Sequence, residues 1–486
     1  CTPDIPRQPL VNDAATQVLL PLVTLASAPH ARAAAVIGQG SGMSSHFLLA
    51  SPELKDLVTI EIEPQMIAGS RLFYPANRRA FDDPRSHVAI EDAKSYFASS
   101  HRRYDLIMSE PSNPWVSGVS GLFTTEFYAR VRQYLTTDGV FGQWLHVYEL
   151  DDELVLSVLA AIHQNFPSYT VYLVPYGDLL VVASNSPAPR TPDWSVAALP
   201  TLQADLCRFL PVTPATLDAL HLADRHELAP VLDSWTQPNS DYYPVLDLGA
   251  EERRFQRAHA KGFPGLSSEW FNLLSSVSRR RTETGGAPVP AFPQNPRLAA
   301  RAASSYLRSP SEEAARGAYG SVLRRAAFTW QAWEAGLRAD QAPASWEAWL
   351  TEQGEAERLR NGGAAGRPDE QLYARALQFI ARHDGPASAR DVVLFRHGVA
   401  AWDWAEASAA ADRLLPVVQH EPGWVPGDEL RDGAVMAKLQ TGDPAGARRV
   451  LEALAPMSGR PAGDLRSQLL AAYVRVAERQ RETASR

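Results

Sequence analysis

The amino-acid sequence predicts an α/β domain with a doubly wound, seven-stranded sheet, followed by an all-α domain. Residues 31–184 alternate short β-rich runs with helical patterns, which is typical of a mostly parallel sheet covered on both faces. The last two runs are joined only by PYG, which predicts an antiparallel hairpin at one edge of the sheet. From residue 297 onward, Ala, Leu and Arg recur at helical spacing.

The predicted strands follow one another in a regular order. In chain order they are AAAVIG, LVTIEI, HVAIE, YDLIMSE, GVFGQWLHV, TVYLV and DLLVVAS. Helical stretches separate most of them, as in SSHFLLA, EPQMIAGSRLF and TTEFYARVRQYL. Seven strands that end in an antiparallel hairpin indicate the Rossmann-like sheet of S-adenosylmethionine-dependent, methyltransferase-type proteins.

The sequence also predicts how the 486 residues are divided. The expected parts are a lead-in segment at 1–30, a Rossmann-like catalytic domain at 31–188, a helical extension that completes it at 189–278, a Pro/Gly linker at 279–296 and a helical domain at 297–486. The segments DVVLFRHGVAAWDWAEASAAADRLLPVV and ELRDGAVMAKLQTGDPAGARRVLEALAP each indicate a helix pair with a Gly or Asp-Pro break. Tetratricopeptide-like repeats and an irregular helical bundle both remain open.

Composition excludes several classes of protein. A net charge of −8 and scattered arginines argue against a nucleic-acid surface. Two cysteines, Cys1 and Cys207, are too few for a disulfide framework or a metal cluster, and the histidines complete no metal-ligand motif, so we expect no metal. The residues that follow Cys1 are typical of the interior of a protein chain. We therefore expect a fragment rather than a processed, lipidated terminus, with an upstream membrane segment as a further expectation.

A glycine-rich turn, VIGQGSGMSS, follows the first predicted strand and opens a helix. Gly38, Gly40 and Gly42 allow a tight turn and close approach of the backbone to a ligand. On its own such a turn is weak evidence, because many α/β proteins use one for packing. The next strand adds a second signal, since Glu61 ends it where an acid can accept hydrogen bonds from ribose hydroxyls.

Acids also end the third and fourth predicted strands. Asp92 follows the third strand and Glu110 follows the fourth, so both border the crevice in which open α/β sheets bind ligands. The chain has no Walker lysine, which disfavours phosphate binding. Three acids suit a cationic nucleoside, so the pattern favours S-adenosylmethionine or its decarboxylated relative over NAD.

These residues belong to a run of ordered motifs. GQGSG, IEIEP, FDDPR, EDA, YDLIMSEPSNPW, GLFTTEFY, GVFGQWL and PNSDYYPVLDL together resemble the spermidine synthase family of polyamine aminopropyltransferases over residues 10–250. The resemblance is closest to the branch fused to membrane transporter-like helices. It implies transfer of an aminopropyl group from decarboxylated S-adenosylmethionine to an amine, with release of methylthioadenosine.

The resemblance also implies roles for individual residues. Glu61 matches the ribose-binding acid, Asp92 the acid beside the adenine, and Glu110 the carboxylate that deprotonates or orients the amine. The predicted cofactor-binding residues are Gly38, Gly40, Ser41, Gly42, Glu61, Asp92 and Ala93. The predicted substrate-binding residues are Gln17, Asn113, Trp115, Asp241 and Tyr242. Trp115 is expected to stack on the substrate, with cover for the end of the sheet as the alternative.

Two positions depart from the family pattern and keep other functions open. Ser41 and Asn113 stand where ordinary members carry aspartates that grip cationic substrates. Use of intact S-adenosylmethionine by a methyltransferase or related enzyme is therefore one alternative, and a non-catalytic nucleoside- or polyamine-sensing domain is another. The expected partners are a small polyamine or another amine, a protein bound by the helical domain, and a second copy in a homodimer. The expected location is the cytoplasmic face of a membrane.

Overall fold

The protein divides into two compact units, and each is described by itself. A computed structural model describes residues 12–116, 118–174, 177–266, 273–280, 295–363, 367–455 and 463–484. The units are Cys1–Phe263 and Pro264–Arg486. The boundary between them falls within the segment predicted as a helical extension, and most of the predicted linker, 281–294, lies outside the described residues.

The first unit contains a mixed sheet of eight strands in the order β3-β2-β1-β4-β5-β7-β6-β8. The strands are β1 Ala33–Ile37, β2 Asp56–Glu61, β3 Ser86–Ile90, β4 Tyr104–Ser109, β5 Leu135–His146, β6 Ser168–Val174, β7 Asp178–Ser184 and β8 His221–Asp224. Strands β1 to β5 pair in parallel, whereas β7, β6 and β8 add antiparallel pairs. The predicted α/β class of methyltransferase type is confirmed.

The eighth strand differs from the prediction. The sequence indicates mainly helices between 195 and 275, yet His221–Asp224 pairs antiparallel with β6. This strand, HLAD, is buried at its first three positions and does not alternate, which is why the sequence did not reveal it. As a result, the β6–β7 hairpin is not at the edge of the sheet. Two residues of its turn, 175–176, lie outside the described residues.

The helices of the first unit surround this sheet. They are α1 Asn12–Ser27, α2 Met43–Leu48, α3 Pro64–Ser70, α4 Arg79–Asp82, α5 Ala93–Ser100, α6 Thr125–Tyr134, α7 Asp152–Asn165, α8 Pro200–Phe209, α9 Pro214–Ala219, α10 Arg225–Leu232 and α11 Val245–Phe255. Short 3₁₀ helices occupy Arg71–Phe73, Val119–Phe123 and Trp194–Ala198. Helix α12, Gly262–Gly265, spans the boundary between the units.

Strand burial explains the apolar runs in the sequence. Strand β1 is AAAVI and is buried from its second residue to its last, because helices cover both faces of a parallel sheet. Edge strand β3 is more exposed, with Val88 42% and Ile90 51% accessible. The parallel register places Ile37 beside both Ile60 and Ser109, so β1, β2 and β4 end together. The turns and acids that follow these strands therefore meet at one edge.

Helix α1 lies within the segment predicted as a lead-in and packs directly on the sheet, against β4, β5 and β7. Its contact with β5 is close at Gly142, where an added Cβ would lie 2.3 Å from Thr24 Oγ1. Gly142 alternates with Trp144 and His146 along β5, so these three residues share the sheet face that α1 covers. The amino-terminal turns of α1 reach the ligand edge of the sheet.

Within the described residues of the second unit, every regular element is a helix. Those helices are α13 Leu273–Ser278, α14 Pro296–Arg308, α15 Glu312–Arg316, α16 Gly320–Ala339, α17 Trp346–Asn361, α18 Glu370–Arg382, α19 Ala387–Ala401, α20 Trp404–His420, α21 Gly427–Gln440, α22 Pro444–Leu454 and α23 Leu465–Ala484. Their lengths range from 5 to 20 residues, which does not support a regular tetratricopeptide-like repeat. In the part of the chain that is described, no helix combines the length and apolarity that crossing a membrane requires.

The two predicted helix pairs are present as α19–α20 and α21–α22, and the members of each pair contact one another. In the second pair the break falls at Asp443, ahead of Pro444, as expected. In the first pair Gly398 lies inside α19 rather than at the break. The chain turns instead at Trp402, which has a left-handed backbone, and Asp403 caps α20. Gly398 serves packing, because an added Cβ would lie 2.6 Å from the backbone nitrogen of Ala407.

Candidate active site

The glycine-rich turn brings the ends of β1 and β4 into backbone contact. Gly38 has a φ of 94°, and an added Cβ would lie 2.5 Å from the carbonyl oxygen of Glu110. The amide of Gly38 donates to Ile60 O at 2.9 Å, and the amide of Glu110 donates to Ile37 O at 3.0 Å. Glycine at position 38 is thus required by positive φ and by the approach of the segment that carries Glu110.

The rest of the turn is held by α1. Ser41 Oγ donates to Gln17 Oε1 at 2.8 Å, and Ser44 Oγ lies 3.3 Å from the Gln17 carbonyl oxygen. Gly42, with φ 76°, precedes α2. Gly40 has φ 49°, and no atom lies within 4 Å of the position its Cβ would take. The predicted residues Gln17, Ser41 and the glycines are therefore brought together.

Glu61 lies at the end of β2 and is only 8% exposed. Its Oε2 accepts from the Gln39 amide at 2.8 Å, and its Oε1 accepts from the Glu63 amide at 2.9 Å. Each carboxylate oxygen can accept a further hydrogen bond. The carboxylate thus fixes the glycine-rich turn and retains acceptor capacity for the ribose role predicted for it.

Asp92 and Ala93 lie where β3 leads into α5. Asp92 is exposed and caps α5, since its Oδ1 accepts from the Ser95 amide at 2.9 Å. Ala93 is buried at the first position of that helix. Capping gives Asp92 a structural reason to be an acid, and its predicted role beside an adenine remains a prediction.

Glu110 follows β4 and is the acid whose pKa is most informative. Burial raises the pKa of its carboxyl to about 7; a hydrogen bond from Ser44 opposes this rise, and the negative charge of Asp178 adds to it. Ser44 Oγ donates to Glu110 Oε2. A carboxyl with a pKa near neutrality can accept a proton from a substrate at physiological pH.

The loop after Glu110 forms one wall of the same edge. The Trp115 ring meets the His146 ring edge-on, with centroids 5.0 Å apart, and the Arg254 guanidinium lies 5.2 Å from the Trp115 ring centre. The carbonyl of Asn113 accepts from the Val116 amide at 2.9 Å and closes a turn. Residue 117 lies outside the described residues.

The late motif NSDYYP lies against α5. Asp241 pairs with Lys94, with the carboxylate oxygen 3.1 Å from Nζ, and its amide donates to Glu126 Oε2 at 2.8 Å. Lys94 is the second residue of α5, directly after Ala93, so its partner Asp241 lies near the carboxyl end of β3. The side chain of Tyr242 is different, because it is 80% exposed. The substrate-binding roles of both residues stay predictions.

Several residues that sequence reasoning missed belong to this edge. Asp178 is the first residue of β7 and lies opposite His146 in the β5–β7 register. Thr16 on α1 donates from Oγ1 to Asp178 Oδ2. Asp178 could have been noticed in the sequence, because it is an acid directly after the predicted PYG turn. Ser44 lies in a predicted helical segment, where nothing in the sequence distinguishes it.

A second group of side chains lies on β8 and α10, and β8 is the edge strand on the other side of the sheet from β3. His221, Asp224 and Glu227 have potential ligand atoms within 4.8 Å of one another, a spacing that could hold a metal ion. Asp224 and Glu227 form the capping box of α10, and Thr170 Oγ1 donates to Asp224 Oδ1 at 2.7 Å. This capping arrangement accounts for the acids at these positions.

The fold and this edge together define a Rossmann-like, methyltransferase-type protein with a glycine-rich turn after β1 and acids at the ends of β2, β3 and β4. Residues 15–184 match the family model described as the spermine/spermidine synthase domain. This match confirms the resemblance that the sequence motifs indicate. The predicted fusion to transporter-like helices and the predicted fragment status remain predictions.

Curated relatives cover the same region. The chain is 29% identical over 164 residues to the polyamine aminopropyltransferase of Caldicellulosiruptor saccharolyticus, a match over 34% of this chain and 59% of the relative. It is 30% identical over 150 residues to the polyamine aminopropyltransferase of Bacillus subtilis, over 31% of this chain and 54% of the relative. The chain thus spans little more than half the length of these relatives.

Solved structures give weaker similarities. A spermidine synthase in complex with the transition-state analogue AdoDATO superposes with a TM-score of 0.33 and 23% identity, over 36% of this chain and 62% of that one. Human methyltransferase-like protein 13 in complex with SAH superposes with a TM-score of 0.32 and 22% identity, over 40% of this chain and 91% of that one.

Proposed function

We propose that the first unit transfers an aminopropyl group from decarboxylated S-adenosylmethionine to an amine and releases methylthioadenosine. The observation that carries this proposal is Glu110, a half-buried acid with a pKa of about 7, at the end of β4 beside the glycine-rich turn. It lies inside the segment that matches the spermine/spermidine synthase domain. The relatives matched over this segment are named polyamine aminopropyltransferases.

The residues at this edge fit a cationic nucleoside substrate. Open space beside Gly40 allows close approach to the turn, and Glu61 retains acceptor capacity for sugar hydroxyls. Glu61 also provides negative charge directly at the turn, through the carboxylate that accepts from the Gln39 amide. A sulfonium centre carries positive charge, so this arrangement attracts it more strongly than it attracts a phosphorylated dinucleotide.

In the proposed reaction, the amine nitrogen uses its lone pair to form a bond to the methylene carbon next to the sulfonium. The carbon–sulfur bond breaks, and its electron pair stays on sulfur, which becomes neutral. Methylthioadenosine therefore leaves without needing an acid. The proton lost by the amine passes to the carboxylate of Glu110, whose pKa suits it to hold and then release a proton.

One observation favours a second function. Ser41 offers a neutral hydroxyl to Gln17 where an aspartate would bind the aminopropyl amine in ordinary family members. Without an acid at that position, the carboxylate of intact S-adenosylmethionine meets less repulsion. Methyl transfer from the intact cofactor is therefore the second candidate.

Product identification separates the two functions. The full chain is incubated with putrescine and either decarboxylated or intact S-adenosylmethionine, and methylthioadenosine and adenosylhomocysteine are measured by chromatography. The main proposal predicts methylthioadenosine with the decarboxylated cofactor alone. Adenosylhomocysteine as the sole product would establish the second candidate instead. If neither product forms while calorimetry shows cofactor binding, aminopropyl transfer is refuted and a sensing function is supported.

A further inference from the structure

His146 is a buried histidine beside the candidate active site. It is the last residue of β5 and has 0% exposure. Among the described residues, neither Nδ1 nor Nε2 has a hydrogen-bond partner. Burial lowers the pKa of the ring to about 3, so the imidazole is neutral and offers one donor and one acceptor. Buried polar groups in folded proteins are normally paired, so this ring requires a partner that it does not find within the described protein.

The surroundings of His146 show where that partner would bind. Its ring centre lies 5.0 Å from Trp115, 5.3 Å from Trp144 and 4.6 Å from Tyr148. Trp115 belongs to the loop that begins at Glu110, so His146 faces the wall of the candidate active site. Trp144 Nε1 also lacks a hydrogen-bond partner among the described residues. Aromatic faces attract cations, and the Trp115 ring already has the Arg254 guanidinium 5.2 Å from its centre.

Asp178 supplies negative charge at the same place. It lies directly opposite His146 in the antiparallel β5–β7 pair, and opposite residues in such a pair project from the same face of the sheet. Thr16 Oγ1 donates a hydrogen bond to one of its carboxylate oxygens, Oδ2. The charge of Asp178 also reaches Glu110, since it contributes to the raised pKa of that residue. Asp178 is therefore close to both Glu110 and His146.

We propose that Asp178, His146, Trp115 and Tyr148 form the acceptor subsite, in which Asp178 holds the ammonium group of an aliphatic amine and His146 hydrogen-bonds to it. This inference rests on the proposed aminopropyl transfer and adds the residues that select the acceptor. It also explains how a chain with Asn113 in place of an acid binds a cationic acceptor. In this chain Asp178, on β7, supplies the negative charge that binds the acceptor.

The test measures the KM for putrescine in the full chain at saturating decarboxylated S-adenosylmethionine. A pH of about 8.5 keeps Glu110 ionised in every variant. The variants are Asp178→Asn, His146→Phe, which keeps an aromatic ring, and His146→Gln, which keeps a donor and an acceptor. His163→Gln and Asp233→Asn are the matched controls, because they form a His–Asp pair elsewhere in the unit, 2.8 Å apart.

We expect Asp178→Asn and His146→Phe to raise the KM for putrescine about 10- to 100-fold, as loss of a charged hydrogen bond does. His146→Gln should recover part of the loss. The Kd of decarboxylated S-adenosylmethionine and both control variants should stay within about twofold of the unmodified protein. An unchanged KM in both Asp178→Asn and His146→Phe overturns the inference, as does an equal loss of cofactor binding.

Two further outcomes are informative. If His146→Phe does not fold, Asp178→Asn decides the question, because it keeps the size and the Thr16 contact of the original side chain. If the unmodified protein forms no methylthioadenosine, aminopropyl transfer has failed, and putrescine binding by calorimetry tests the subsite by itself. Binding that is lost in Asp178→Asn supports the subsite, and absence of binding to the unmodified protein refutes it.

Discussion

Arg396 in the second unit and Glu110 in the first have opposite kinds of charged neighbour. In the second unit, Arg396 is almost fully buried, and its guanidinium donates to Glu429 Oε1 at 2.7 Å, to the Leu350 carbonyl at 2.6 Å and to Gln353 Oε1 at 3.0 Å. In the first unit, Glu110 has a hydrogen bond from Ser44, and its charged neighbour is another acid, Asp178. Removal of one partner from a buried ion pair leaves an uncompensated charge, whereas an acid whose pKa is raised by burial and by a second acid is a candidate functional group.

The largest effect should come from removing the Glu110 carboxylate. Glu110→Gln keeps the shape of the side chain but cannot accept the proton of the amine, so turnover should fall about 10²- to 10⁴-fold. The Kd of decarboxylated S-adenosylmethionine, measured by calorimetry, should change little. Glu153→Gln, an exposed position on α7, is the control. Full activity in Glu110→Gln would show that this acid is not the base and would remove the basis of the comparison.

The next largest effect should come from breaking the buried pair of Arg396 and Glu429 in the second unit. Arg396→Met leaves Glu429 buried without its guanidinium, and loss of one partner of such a pair costs about 3–5 kcal/mol of stability. Hydrogen exchange followed by mass spectrometry should show faster exchange in α19 and α21. Arg413→Met is the control, since Arg413 pairs with Asp391 but is half exposed and should cost at most about 1 kcal/mol. Equal effects in the two variants would show that burial does not distinguish the pairs.

The sequence predicted those residues of the site that lie at the carboxyl ends of parallel strands. Gly38, Glu61 and Glu110 follow apolar runs that form parallel strands, and parallel strands end at one edge, so their proximity followed from the order of the runs alone. Asp178 and His146 could not be placed together in this way. Their proximity depends on the antiparallel register of β5 with β7. These strands are not joined by a turn and are buried along most of their length, so neither turn geometry nor an alternating pattern reveals that register.

Helix breaks and short strands limited the prediction of the fold. Strand β8 has four residues and depends on pairing with β6 rather than on its own pattern. The turn at Trp402 uses a left-handed backbone at a tryptophan, where sequence rules expect glycine or asparagine. In both places tertiary contacts decide the local structure.

Glu110→Gln should also change stability, and the sign follows from the raised pKa. Between the ordinary carboxyl pKa of 4.5 and about 7, the unfolded chain is ionised while folded Glu110 keeps its proton. The free energy of unfolding therefore falls as pH rises through this window, by at most about 3 kcal/mol. Denaturant unfolding should find Glu110→Gln more stable than the unmodified protein above pH 7, with the gain absent below 4.5. A gain that does not depend on pH would contradict this explanation.

The smallest expected effect should come from removing the single hydrogen bond that Ser44 donates to Glu110. Ser44 donates to Glu110 and lowers the carboxyl pKa, against the rise that burial causes. Ser44→Ala should therefore raise the pKa of Glu110 further, by about one unit. Because the base must be ionised, turnover rises with pH through its pKa, and the midpoint of that rise should move to higher pH in the variant. Comparing the two profiles with one amine cancels the titration of the amine itself. A midpoint that stays in place, or moves to lower pH, would mean that Ser44 does not stabilise the ionised carboxylate.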